Sequence, residues 1–166
     1  MSDREQAYVG LSLTANGFGF VGALVSFEPP EIKEQTEDYR GGRMAPTKMM
    51  LGFEAIDAKF KLSRDDVSLP LMRAIIGSDT VLTIRASIDE RGKSVAVNWI
   101  IYGRIYSAES SEIKAGSIVD KTYTVTVEKF VKVIDGVPAE AFDIATGELK
   151  FGSTDILADV KKQIGL

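Results

Sequence analysis

The chain has no cysteine and no histidine. Without cysteine there is no disulfide framework and no thiolate chemistry. Without histidine the usual general base near neutral pH is gone, and so is the commonest metal ligand. Ser-His and zinc-His catalysis are therefore excluded by composition. No apolar run approaches the roughly 20 residues that a membrane-crossing helix requires, so no membrane anchor is expected. The N-terminal MSDREQ is charged with no apolar region behind it, which argues against a cleaved export signal. Clustered positive charge is also lacking. The 20 basic residues against 24 acidic ones leave a net charge of −4, and they are dispersed among acids, as in IKEQTEDYR and DERGK. Phosphate binding draws on clustered Lys and Arg, so a DNA-binding role is disfavoured. A surface that lets DNA pass without holding it fits this composition.

What is present is the material of a soluble folded domain: 166 residues, 45% apolar and 27% charged, with no linker, repeat or low-complexity run that would divide residues 1–166. Strand alternation dominates. Val9/Leu11/Leu13 alternate with Gly10/Ser12/Thr14, and Asn16-Gly17 is a type I′ hairpin signal. A return strand is expected from Phe18 to Phe27, stopped by Pro29-Pro30. Glu31–Tyr39 reads as a strand polar on both faces, broken at Gly41-Gly42. An irregular Met-rich piece follows and leads into Ile56/Ala58/Phe60/Leu62 against Asp57/Lys59/Lys61. A helix is expected with Ser63-x-x-Asp66 or Ser68 as cap, Pro70 in its first turn, Leu69/Met72/Ile75/Ile76 as its stripe and Gly77 as its end. Strands resume at Leu82–Ile88, turn at Asp89–Gly92, and continue through Val95–Tyr102, which is apolar on both sides. Such a strand is central or buried at an interface. Tyr123/Val125/Val127 against threonines gives another strand, with turns at Asp135-Gly136 and Thr146-Gly147. A closing helix is expected with Thr154 or Asp155 as cap, Ile156/Leu157/Val160/Ile164 as stripe and Gly165 as stop. The fold class is mainly β: an antiparallel sandwich or barrel with two short helices.

Candidate chemistry is thin. Gly17–Gly22 formally fits G-x-G-x-x-G, but the fingerprint needs a helix to open at its last glycine, and here a strand follows. Asp65-Asp66 sits where a helix N-terminus favours negative charge, and Asp89-Glu90 at a hairpin tip, so both read as structural. Glu31, Glu34, Glu37 and Asp38 match no calcium-loop spacing. No catalytic residue, metal or cofactor is expected. A small ligand-binding β-barrel, with Trp99, Tyr102 and Phe130 lining a closed apolar pocket, is the alternative from a different functional class.

The most informative stretch is Thr36–Phe60, TEDYRGGRMAPTKMMLGFEAIDAKF. Methionine repacks cheaply and is over-used at adaptable surfaces. Met44, Met49 and Met50 beside a Gly-Gly hinge and Pro46 suggest an arm that completes itself on a neighbour. The charged strand Glu31–Arg40 reads equally well as an edge guarded against aggregation. In this order along the chain, LTANGFGFVG (13–22), TEDYRGGRM (36–44), MLGFEAIDAKF (50–60), PLMRAIIG (70–77), Lys114-Ala115-Gly116, Asp135-Gly136, Phe142–Gly147 and the ending Ile164-Gly165-Leu166 resemble the major tail tube protein family of contractile-tailed phages and phage-tail-like bacteriocins. Arg43 stands where a small residue is commoner, and Asp89–Tyr106 matches only loosely.

The resemblance implies a subunit that forms six-membered rings, with long hairpins from each copy joining into one inner β-barrel. The rings would stack into a hollow conduit for DNA or envelope puncture, inside a contractile sheath. By position the lumen hairpins are about 31–62 and Thr80–Tyr106. The implied inter-subunit contacts are Tyr39, Arg40, Gly41, Gly42, Arg43, Met44, Pro46, Met49 and Met50; the implied lumen-facing residues are Glu34, Thr36 and Asp38. Its partners would be further copies of itself, the tail sheath, baseplate and tail terminator proteins, with assembly in the host cytoplasm and residence in the virion tail. A type VI or extracellular contractile system is the alternative within this class.

Overall fold

The computed structural model describes residues 5–20, 23–65 and 80–165. Among the described residues there are twelve strands, most of them built on alternating apolar residues: β1 (Ala7–Ala15), β2 (Phe18–Gly19), β3 (Leu24–Glu28), β4 (Glu34–Tyr39), β5 (Thr47–Phe53), β6 (Asp57–Leu62), β7 (Thr80–Glu90), β8 (Lys93–Ser110), β9 (Lys121–Ile134), β10 (Val137–Asp143), β11 (Glu148–Phe151) and β12 (Thr154–Asp155). Ten of them form one antiparallel sheet, in the order β12-β11-β10-β9-β8-β7-β1-β2 with β6 and β3 branching from β9; β4 and β5 form a second sheet alone.

The branch explains the shape. The first half of β9 pairs with β6, Leu62 opposite Lys121 through Asp57 opposite Thr126. Its second half pairs with β10, from Lys129 opposite Asp143 to Ile134 opposite Val137. Between them the β8 ladder skips from Tyr102/Lys129 to Gly103/Val127, leaving Glu128 as the extra residue of a bulge, which bends a strand and sharpens its twist. β6 then carries β3 beside it, and β3 approaches β1 with no ladder joining them. The result is an open barrel, β1-β7-β8-β9-β6-β3, extended by a β10-β11-β12 wing.

The inward residues of each wall fill that barrel. Leu13, Leu82, Ile84, Ile101, Val125 and Leu62 are fully buried, and Phe60 stacks on its cross-strand partner Tyr123 at 5.3 Å. Phe130 and Phe142 continue the core into the wing. Burying side chains of this size stabilises by about 1.5–3 kcal/mol each. The expected alternations at 56–62, 82–88, 95–101 and 123–127 are those that point inward, and β8 is indeed central.

The turn signals hold. Asn16 and Gly17 have φ of 45° and 85°, and Asp135 and Gly136 have 49° and 79°, the paired left-handed conformations of a type I′ turn. Asn16 also locks its hairpin to β7, its N–H donating to Val81 O at 3.0 Å while its Oδ1 accepts from Val81 N at 2.8 Å.

Four expectations are corrected. The return strand Phe18–Phe27 is not one strand: β2 closes on β1, whereas β3 crosses to β6. The Met-rich piece is not irregular, because Met49 and Met50 lie in β5. The hairpin predicted over 31–62 ends at Phe53; β6 belongs to the body. In the C-terminal helix, Ala158–Ile164, only Leu157 of the expected stripe, at its N-cap, packs on the core. Its end is as read, with Gly165 left-handed and donating to Lys161 O, but no side chain caps its start. Asp155 instead accepts from Leu149 N and Leu157 N and meets Lys161 at 2.6 Å. The helix expected at 70–77 lies outside the described residues, as does Gly22 of the glycine fingerprint.

Candidate functional site

The β4–β5 hairpin leaves the body between two anchor points. Pro30 and Ile56 are buried, and Ile32 and Phe53 pack half-buried on the core. Glu54 N–H donates to Lys33 O at 2.9 Å, closing the root. At the exit, Ile56 O accepts from Val127 N. Tyr106 Oη donates to Asp57 at 3.0 Å, an acceptor that, aided by desolvation and the carboxylate's charge, raises the phenol's pKa. Beyond this root every residue from Glu34 to Leu51 is exposed. A lone two-stranded hairpin is marginal in water; this one holds Tyr39, Met44, Met49, Met50 and Leu51 out in solvent, Met44 at 99%.

The register sorts the predicted residues. Glu34 faces Phe53, Thr36 faces Met50 and Asp38 faces Lys48, and residues opposite each other in a ladder share a face. Glu34, Thr36 and Asp38 thus do lie on one face, as side-chain alternation requires. They share it with Lys48, Met50 and, at the root, Phe53, so it is not purely acidic. The opposite face carries Glu37, Tyr39, Thr47 and Met49. A register shift between Gln35 and Thr36 leaves Leu51 as an extra residue.

At the tip, Arg43 N–H donates to Arg40 O at 2.9 Å and Arg40 Nη2 donates to Met44 O at 3.1 Å. Between them Gly41 and Gly42 have φ of 50° and 77°, a conformation that costs other residues roughly 1–2 kcal/mol each. A Cβ on Gly41 would also meet the Tyr39 ring at 2.7 Å. Tyr39 through Met44 are therefore one structured turn, with Pro46 leading into β5. Thr47, Lys48 and Leu51 were not singled out in the sequence, because a strand exposed on both faces leaves no apolar period to read.

The other expected lumen hairpin, Thr80–Tyr106, is β7 and most of β8, inside the large sheet with one face buried. The ligand-pocket residues do not converge. Trp99 and Phe130 are buried in the filled core, while Tyr102 stands on the opposite face of β8 under the Lys129 ammonium. Asp89 Oδ1 accepts from Gly92 N in the β7–β8 turn, and Asp65 pairs with Lys121 at 2.8 Å. Asp66 lies outside the described residues. Among the described residues no group of three or more acidic side chains is arranged to hold a metal ion. No helix among them is long and apolar enough to cross a membrane.

Comparison with known proteins places this geometry. The sequence profile of the family described as phage tail tube protein FII matches residues 8–165. The tail tube protein of Escherichia phage P2 is 26% identical over 163 residues, covering 94% of this chain and 95% of that one. A chain solved in the sheath/tube terminator of an extracellular contractile injection system, in its extended state, superposes with a TM-score of 0.58 at 14% identity, covering 74% of this chain and 92% of its own. Hcp1 from Flavobacterium johnsoniae superposes at 0.52 with 11% identity, over 80% and 98% of the two chains.

Proposed function

The chain belongs to the phage tail tube protein FII family, and from that membership we propose that it polymerises into hexameric rings stacked as the hollow inner tube of a contractile tail. It is a structural subunit of a contractile injection machine and a component of the virion tail. On this reading it is not an enzyme. It assembles in the host cytoplasm, meets sheath, baseplate and terminator proteins, and passes DNA through its lumen without binding it specifically.

One observation carries the reading: β4–β5 is a two-stranded sheet with no ladder to the body and five large apolar side chains in solvent. A row of open strand edges is an aggregation hazard in a monomer, and closure of a barrel removes it. Copies that set their hairpins edge to edge would satisfy those backbone groups and cover the methionines. Glu34, Thr36 and Asp38 would then line the lumen, and Tyr39–Pro46 with Met49 and Met50 would meet neighbouring copies. The similarity to an extracellular injection-system chain and to Hcp1 is one of fold, so the phage relative and the family profile favour a phage-type tail over those machines.

Replacing Gly41 and Gly42 together by valine tests the assignment of the hairpin. The substitutions strain only the tip, so the subunit should keep its thermal unfolding midpoint to within a few degrees while sedimentation velocity loses every species above the monomer. A double variant that no longer folds would place the hairpin in the monomer's own core.

A further inference from the structure

Asn16 opens the turn between β1 and β2. It is one of two asparagines in the chain and the one followed by glycine, since Asn98 precedes Trp99 within β8. An asparagine before glycine carries a reaction of its own. The glycine nitrogen attacks the carboxamide carbon, ammonia leaves, and water opens the resulting cyclic imide to aspartate or isoaspartate. Bulk on the following residue ordinarily shields that nitrogen. Gly17 offers none, with nothing within 4 Å of where a Cβ would stand, and both residues are exposed. Nucleophile and water are therefore both within reach of Asn16.

The position of the carboxamide is what holds the reaction back. Asn16 Oδ1 accepts from Val81 N at 2.8 Å, and Asn16 N–H donates to Val81 O at 3.0 Å. The φ angles of 45° at Asn16 and 85° at Gly17 fix the backbone as a type I′ turn. Closing the imide requires Asn16 to rotate its side chain and its backbone together, and each is tied to β7. We propose that Asn16-Gly17 is a self-modification site kept closed by this clamp, deamidating when the β1–β2 hairpin opens locally away from Val81. The two products then differ. Aspartate keeps an oxygen that accepts from Val81 N. Isoaspartate adds a methylene to the main chain of a two-residue turn, which disturbs the pairing of Thr14 with Gly19 and Ala15 with Phe18. Phe20, buried and bonded through its N–H to Leu13 O, follows directly on that pairing.

The fold supplies its own comparison. Asp135-Gly136 makes the same turn with φ of 49° and 79°, is equally exposed, and sends its first N–H to the adjoining strand, at Ala96 O, 2.8 Å away. It lacks the second bond: among the described residues nothing holds the Asp135 side chain. Asp135→Asn therefore creates a second Asn-Gly in this geometry without the clamp. Folded and guanidinium-unfolded protein would be held at one mildly alkaline pH, and peptide mapping by mass spectrometry would follow conversion of amide to acid at each site. Unfolded, the two sites should convert at similar rates. Folded, Asn16 should convert roughly tenfold or more slowly than when unfolded, because reaction waits on local opening, and position 135 of the variant should convert severalfold faster than Asn16. Wild-type conversion as fast folded as unfolded would overturn the proposal, as would equal rates at the two sites in the folded variant.

Discussion

Gly103 sits where β8 passes the bulge in β9, and a Cβ there would land on the carbonyl oxygen of Thr126, far inside contact distance. That oxygen belongs to the backbone of the partner strand, so no side-chain rotation relieves the overlap. Gly103→Ala should destabilise the fold by about 3 kcal/mol, read as a shift of the denaturation midpoint. Gly10→Ala, with nothing within 4 Å of its would-be Cβ, is the control and should be nearly neutral. A Gly103→Ala variant as stable as that control would remove the close approach from the account. At this scale legibility depends on whether the cause is local. Asn16-Gly17 and Asp135-Gly136 announce their turns, because the left-handed φ is a property of the dipeptide itself. Gly103 announces nothing, because what forbids a side chain there is a carbonyl more than twenty residues away.

Among elements, strands were readable in proportion to how unequal their two faces are. Ile56/Ala58/Phe60/Leu62 and Tyr123/Val125/Val127 alternate because one face meets the core. β5 is exposed on both faces from Thr47 to Leu51, so Met49 and Met50 read as an irregular piece. The split of Phe18–Phe27 into β2 and β3 was hidden for another reason: it depends on which distant strand each half pairs with. The C-terminal helix rests on one carboxylate. Asp155 is held below the ordinary aspartate range, first by its bond to Lys161 and then by the Leu157 and Leu149 N–H groups, against opposing desolvation. Because its pKa is depressed in the folded chain, its contribution is present above the unfolded value and is lost as pH falls through the folded one. The hydrogen-exchange protection factors (observed rate relative to the intrinsic rate at the same pH) of residues 156–164 should therefore fall below about pH 4, and Asp155→Asn should be weakly protected even at pH 7. Protection factors independent of pH in the wild type would show that the carboxylate does not hold the helix.

For the whole molecule, the open barrel holds the buried core of the described residues, and on the proposed assembly the hairpin it leaves outside would meet other copies. On the face with Glu34, Thr36 and Asp38, the two carboxylates and Lys48 leave one net negative charge per subunit. A ring of six would present a mildly acidic wall that repels a polyanion at short range and is screened beyond about 10 Å at 0.1 M salt. Tubes of Glu34→Lys, Asp38→Lys protein should retain double-stranded DNA in a salt-sensitive pull-down, whereas wild-type tubes should not; equal retention would separate lumen charge from these residues. The most direct test of the assembly itself is electron microscopy of the purified wild-type protein, with light scattering on the same sample across a concentration series. A tube subunit yields hollow rings or tubes of one uniform diameter with six-fold end views. A monodisperse monomer at every concentration, with and without a baseplate preparation to nucleate growth, would contradict it.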